Sequence, residues 1–208
     1  MKYQYIAIER EYGSGGQMIA ERLAELSGIP CFGREILERV ARQMNLSVSQ
    51  IEDCEERATG SILYSLYAMS QMQTGNGNLL PLEGRVFLAE QKTIRDMAAY
   101  GTGVFIGHCA AEALQDRQGV LRVFIRADEK IKTQRIAETY GINERDIKKM
   151  IQKFDRKRAN YYKANTNREW RSPGNYDLVL DSGTLGTEIC TSILLHIIKG
   201  DTLNIQTE

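Results

Sequence analysis

The chain has no excess of charge of either sign: across 208 residues, Lys+Arg and Asp+Glu each number 27. That balance argues against a protein that coats nucleic acid or an anionic membrane, because both tasks call for a basic surplus. It also has no Cys-x-x-Cys pair. Cys31, Cys54, Cys109 and Cys190 are dispersed, which argues against a cysteine metal site and is expected of reduced, mostly buried thiols in a cytoplasmic protein. No secretory leader pattern is read at the N-terminus. The longest apolar stretch, Ile193 to Ile198, contains His196 and falls far short of the roughly 20 residues of a membrane span. Internal repeats and low-complexity linkers are absent too. What remains is a chain expected to form one α/β domain over residues 1–208, long enough to bury roughly 70% of its unfolded surface. Small molecules are its expected partners.

The most informative segment is Glu11-Tyr12-Gly13-Ser14-Gly15-Gly16-Gln17. An alternating run (Tyr3 to Ile8) precedes it, and Ile19, Leu23 and Leu26 recur after it at helical spacing. Strand, glycine turn and helix in that order form a phosphate cradle. The glycines turn the backbone N–H groups inward, and the helix N-terminus adds about half a positive charge. The bland alternative is a tight turn in which the glycines relieve only steric crowding. The usual phosphate loop places Lys and Ser/Thr directly after its last turn glycine. Here those positions are Gly16 and Gln17, so the cradle lacks its main charge. Ser14 is expected to cap the helix.

A β-α alternation runs through most of the chain, as in a parallel sheet covered on both faces. Ile6–Glu9 is the expected central strand, and the following helix should stop at Gly28. Ile29–Phe32 reads as a short edge strand, since Pro30 cannot donate to a central ladder. Helices are expected over about 34–44 and 48–70, the second capped by Ser47 or Ser49, and over about 83–100. The strongest flexible loop is 74–78. Strands follow at 103–107, 121–125 and 177–181, and 185–198 reads as a closing helix. Five parallel strands with helices on both faces make a three-layer α/β sandwich. Ligands in such sheets sit outside the C-terminal strand ends, where the glycine turn, Gly107-His108 and Arg126 all fall.

Four further constellations are candidates. The basic helix 146–158 has an apolar stripe (Ile147, Met150, Ile151, Phe154), so Lys148 and Lys149 read as a solvated face. Lys153, Arg156 and Lys157 crowd one side, and Asp155 is placed to hold Arg158 three residues on. A mobile flap with arginines suits phosphoryl transfer, where guanidinium forks stabilise spread negative charge. His108 reads equally as a contact to a phosphate or base and as a helix cap, whereas His196 reads as structural. Arg34 either reaches an acceptor phosphate or is a surface arginine at a helix start. Asp181 either hydrogen-bonds the glycine turn or orients a water, or is a turn residue before Ser182-Gly183.

Taken in order, these blocks resemble the cytidylate kinase-like proteins of the P-loop nucleoside monophosphate kinase superfamily, in their uncharacterised bacterial branch. The likeness rests on residues 8–16, Gly28–Pro30, the Val-Phe-Ile-Gly-x-Cys-Ala run at 104–110, Phe-Asp-Arg-Lys-Arg-Ala-Asn-Tyr-Tyr at 154–162 and the strand at 176–181. It implies a P-loop kinase fold with a helical lid (about 143–165) and an acceptor-side helical region (about 33–80), with ATP and Mg2+ as cofactors. By the same likeness, Gly13, Ser14, Gly15, Gly16 and Gln17 hold the donor phosphates. Arg34 lies on the acceptor side and Lys153–Arg158 form the lid, with Arg34, His108 and Lys153 expected to bind substrate and Arg10, Asp155, Arg156 and Arg158 expected to be catalytic. His108 stands where the related pattern has an arginine. Arg10 occupies the place of the first P-loop glycine and is expected to fold over the phosphates and supply the missing charge. Residues 61–77 are expected either to cover the acceptor pocket or to pack against a second subunit. The expected activity is phosphoryl transfer to a nucleoside monophosphate; the alternative is a weak or inactive nucleotide-binding regulator.

Overall fold

A computed structural model describes residues 2–57 and 80–200. Among these, β1 (Tyr5–Arg10), β2 (Cys31–Phe32), β3 (Gly103–Ile106), β4 (Val120–Arg126) and β5 (Leu178–Asp181) form one parallel sheet in the order β2-β3-β1-β4-β5. β1 is central and the proline-led β2 lies at an edge, as the sequence indicates. The helices are α1 (Gly16–Ser27), α2 (Arg34–Met44), α3 (Val48–Arg57), α4 (Leu82–Ala99), α5 (Ala110–Ala113), α6 (Glu129–Tyr140), α7 (Glu144–Thr166), α8 (Ser182–Leu185) and α9 (Thr187–Lys199).

The alternation along β1 explains the three layers. Ile6 and Ile8 pack with Ile19 and Leu23 of α1 and Leu194 and Ile198 of α9. Tyr5 and Ala7 point the other way, against Ile36 of α2 and Ile94 and Met97 of α4. A strand buried on both faces is what a parallel sheet sandwiched between helices requires. α1 ends as expected at Gly28, whose φ of 69° suits a left-handed cap and whose N–H donates to Ala24.

Some expectations are corrected. The cap of α3 is Ser47, not Ser49: Ser47 Oγ accepts from Gln50 N–H while Gln50 Oε1 accepts from Ser47 N–H, a reciprocal capping box. Ser14 does not cap α1; its buried hydroxyl donates to the carbonyl of Glu11 (2.8 Å). The remainder of the helix expected to 70, and the loop expected at 74–78, lie outside the described residues. α6 has no counterpart among the expected elements. Its buried residues are only Lys132 and Ile136, too few to print an apolar stripe. No described helix is long and apolar enough to cross a membrane.

Candidate active site

The glycine turn joins β1 to α1 with Gly13 and Gly15 both at φ 77°, a left-handed backbone that favours glycine. Gly16, the first residue of α1, is a glycine for another reason. A Cβ there would lie 2.5 Å from Cβ and 2.9 Å from Cγ of Arg10. Farther out, a Cβ on Gly107 would lie 2.3 Å from Arg10 Nη1. The Arg10 side chain therefore runs between two glycines, from the start of α1 to the end of β3. This also accounts for the missing lysine. In the usual loop, glycine stands at the first position and a side chain follows the last turn glycine. Here the side chain is at the first position and the glycine follows, and the two Cβ atoms cannot coexist without a backbone shift.

Two cavities flank this arginine. One, of about 340 Å³, follows the glycine turn and is lined by Tyr12, Gly13, Gly15, Gly16, Arg135 and Tyr140, among others. The other, of about 420 Å³, lies toward α2, α3 and α7 and includes Glu9, Arg34, Glu55, His108, Lys157 and Tyr161. Arg10, Gln17 and Arg158 line both. Arg158 Nη1 donates to the Arg10 carbonyl (3.2 Å), and its guanidinium lies over the Tyr12 ring. Burial, and then the nearby Arg10 cation, push its pKa down to about 10. Burial likewise lowers that of Arg10. Arg158 therefore remains charged at neutral pH. Two desolvated guanidiniums thus stand together at the junction of the two cavities.

Asp155 does more than the expected local pairing with Arg158. It is buried, lies 4.0 Å from Arg158, and accepts from Tyr12 N–H (2.7 Å), Lys132 (3.3 Å) and Arg171 (2.9 Å). Lys132 and Arg171 also bind Glu11, at 3.0 and 2.8 Å. Two carboxylates and two cations thus clamp α7 and α6 onto the chain just after β1. These contacts tie the basic helix to the chain after β1, and Arg158 sits nearly one turn beyond them. Arg156 and Lys153 are exposed and line neither cavity.

Arg34 lines the second cavity at its rim, with its side chain 72% exposed and paired to Glu38 (3.4 Å). The His108 ring neither caps α5 nor stands free. Its Nδ1 lies 2.7 Å from Glu55 Oε1. Asp181 caps α8 through Gly183 and Thr184 N–H and pairs with Arg126, so the turn reading holds. The contact to the glycine turn comes instead from Ser182 and Arg135, which both donate to the Ser14 carbonyl. His196 lines neither cavity.

Sequence reading missed Lys132, Arg135, Arg171, Glu55 and Glu90. For the first two a signal existed, since Asp128 caps α6 and Gly141 ends it. The cradle suits nucleotide phosphates. It offers magnesium little: Ser14 Oγ is turned inward, and Gln17, where a metal-binding loop has a hydroxyl, donates to Glu21 (2.6 Å).

A parallel three-layer sheet with a glycine turn after its central strand is the fold of P-loop kinases, and solved structures match it along most of the chain. A crystal structure of an uncharacterized protein from Eubacterium ventriosum is 24% identical with a TM-score of 0.71, covering 95% of this chain and 99% of that one. Shikimate kinase from Bacteroides thetaiotaomicron is 11% identical with a TM-score of 0.53, over 94% and 98% of the two chains. A sugar kinase from Janibacter sp. is 12% identical with a TM-score of 0.50, over 95% of each. At these identities the likeness carries the fold alone. No curated protein matches the chain by sequence. The family is defined by the sequence pattern itself: residues 5–184 match the cytidylate kinase-like family, and the chain belongs to it.

Proposed function

We propose that the protein is an ATP-dependent phosphotransferase whose acceptor is a nucleoside monophosphate of the cytidylate type, with Arg10 in the role of the absent P-loop lysine. One observation carries the reading: Arg10 and Arg158 line both cavities, where a phosphoryl group passing from donor to acceptor would cross. In this reading the donor phosphates lie against Gly13–Gln17. The acceptor occupies the second cavity, where Arg34 and Lys157 meet its phosphate and Glu9, Glu52 and Glu55 offer acceptors to its base or sugar. Charge on the transferred group spreads over its equatorial oxygens, and fixed guanidinium forks stabilise it without reorganising. When bound, Mg2+ would neutralise charge on the donor phosphates, and we assign it to those phosphates and water rather than to protein ligands.

The test is ADP release over a panel of nucleoside monophosphates, followed by variants. Arg10→Ala and Arg158→Ala should each lower kcat by about 10²–10⁴-fold with a smaller change in the KM for ATP. Arg156→Ala, on the exposed face, should change kcat less than about threefold. Full activity in Arg10→Ala would refute the relocated-charge reading. The inward-turned Ser14 hydroxyl favours a second reading, a nucleotide-binding regulator without turnover. Calorimetric binding of ATP and CMP with no ADP release would select it.

A further inference from the structure

Three elements bring ligand-type atoms together on the floor of the second cavity. Glu55 on α3, Glu90 on α4 and His108 after β3 each place one such atom within 4.8 Å of the other two. Glu55 and His108 line the cavity, but Glu90 does not. It sits behind them, with no exposed side-chain surface. One of its oxygens, Oε2, accepts from the Tyr161 hydroxyl of α7. The other, Oε1, is buried without a hydrogen-bond donor and lies 3.9 Å from His108 Nδ1.

A buried carboxylate oxygen with nothing to accept from is costly. An organic ligand in the cavity would meet Glu55 and His108 first and could not reach it. A partner for it must fit between the three groups, as a proton shared with Glu55, a water or a metal cation would. Burial, together with the Glu55 charge, raises the Glu90 carboxyl well above its usual range.

We propose that Glu55, Glu90 and His108 form a binding site for one first-row divalent cation of the Zn2+ type, with its open coordination position facing the cavity. The donor set is one imidazole and two carboxylates, which suits Zn2+ or Mn2+ better than the all-oxygen, heavily hydrated coordination Mg2+ prefers. Zn2+ bonds of about 2.0–2.2 Å put neighbouring ligand atoms roughly 3.3 Å apart. His108 and Glu55, at 2.7 Å, therefore separate slightly, and Glu90 and His108, at 3.9 Å, close slightly. Tyr161 is the positioning residue that orients Glu90, as partners of metal-bound carboxylates do. The opposing charge near Glu55 is Arg10, which fits a weakly held ion. Such a cation would also pin α3 to α4 and β3, fixing the wall of the cavity.

The experiment is competition between full-length, chelator-stripped protein and a chromophoric zinc chelator, without nucleotide. Zn2+ should bind at one per chain, and millimolar Mg2+ should not displace it. Glu55→Gln and His108→Asn should each weaken binding at least tenfold, as should Glu90→Gln, whereas Cys31→Ser should leave it unchanged. Zn2+ should raise the melting temperature of the wild type and not of Glu55→Gln. Glu55 is partly exposed, so its amide keeps the fold intact should the buried Glu90 variant fail. Equal Zn2+ affinity in wild type and Glu55→Gln, or no stoichiometric binding below about 10 µM, would overturn the site and leave a shared proton in its place. Either result stands apart from the phosphotransfer reading, since no nucleotide enters the assay.

Discussion

The exchange of side chain and glycine between positions 10 and 16 makes a quantitative prediction. Gly16 has helical backbone, so an alanine there would by itself be favourable by up to about 1 kcal/mol. Against it stands Arg10, whose Cβ would be 2.5 Å away. That atom is fixed to the backbone and cannot rotate clear. Overpacking of this kind costs about 1–3 kcal/mol, and in a chain of this length each kcal/mol moves Tm by about 2–4 °C. Net of the helical gain, Gly16→Ala should therefore lower Tm, by up to about 12 °C. Gly16→Lys should do at least as much harm, and it should not raise activity. Removing the opposing Cβ with Arg10→Gly should reverse the sign of the Gly16→Ala effect. A double-mutant cycle by calorimetry should give a coupling of about 1–3 kcal/mol. The combined Arg10→Gly, Gly16→Lys protein, which carries the usual glycine and lysine positions, should fold and bind ATP better than Gly16→Lys alone. If Gly16→Ala is as stable as wild type and the two changes are additive, Arg10 does not occupy the space assigned to it.

Asp155→Asn should destabilise by about 3–5 kcal/mol in chemical denaturation, because it leaves Lys132 buried with half of its charge partners; a loss below 1 kcal/mol would mean the clamp carries no stability. The Asp177 carboxyl is held below its usual range by its hydrogen bonds to Arg122. Its contribution should be fully present above about pH 4, the unfolded carboxylate value, and should fade as pH falls through the lower folded value; Asp177→Asn should flatten that acid limb of the Tm profile. Burial raises the Cys31 thiol to about 11, so at pH 8 only about a thousandth is thiolate. Iodoacetamide should modify it far more slowly than a free cysteine peptide, and rapid labelling would show the site open. Ser47→Ala should cost about 0.5–2 kcal/mol through loss of the capping box.

By itself the sequence determined the parallel sheet, the edge placement of β2, the glycine turn and the basic helix, read over 146–158 and found within the longer Glu144–Thr166. These follow from local rules: strand alternation, helical periodicity, proline at an edge and glycine at a left-handed cap. It also marked Arg10 as the residue in the place of the first loop glycine. Only the tertiary structure decided which cations matter. Arg158 and Arg156 are two residues apart and look alike in the chain, yet a helix turns them to different faces, and one lines both cavities while the other is exposed. Asp155 pairs with Arg158 at 4.0 Å as the spacing suggested, but Lys132 and Arg171 reach it more closely, from helix α6 and from the segment after α7. Helix α6 left only its capping residues, Asp128 and Gly141, as a trace, because it contacts the rest mainly through Lys132, Arg135 and Ile136, and buried charge has no periodic signature. Glu55, Glu90 and His108 stand 35 and 18 residues apart, and only the packing of α3 and α4 beside β3 brings them together. Local chemistry is written in neighbouring residues; a site assembled from distant ones exists only once the chain has folded.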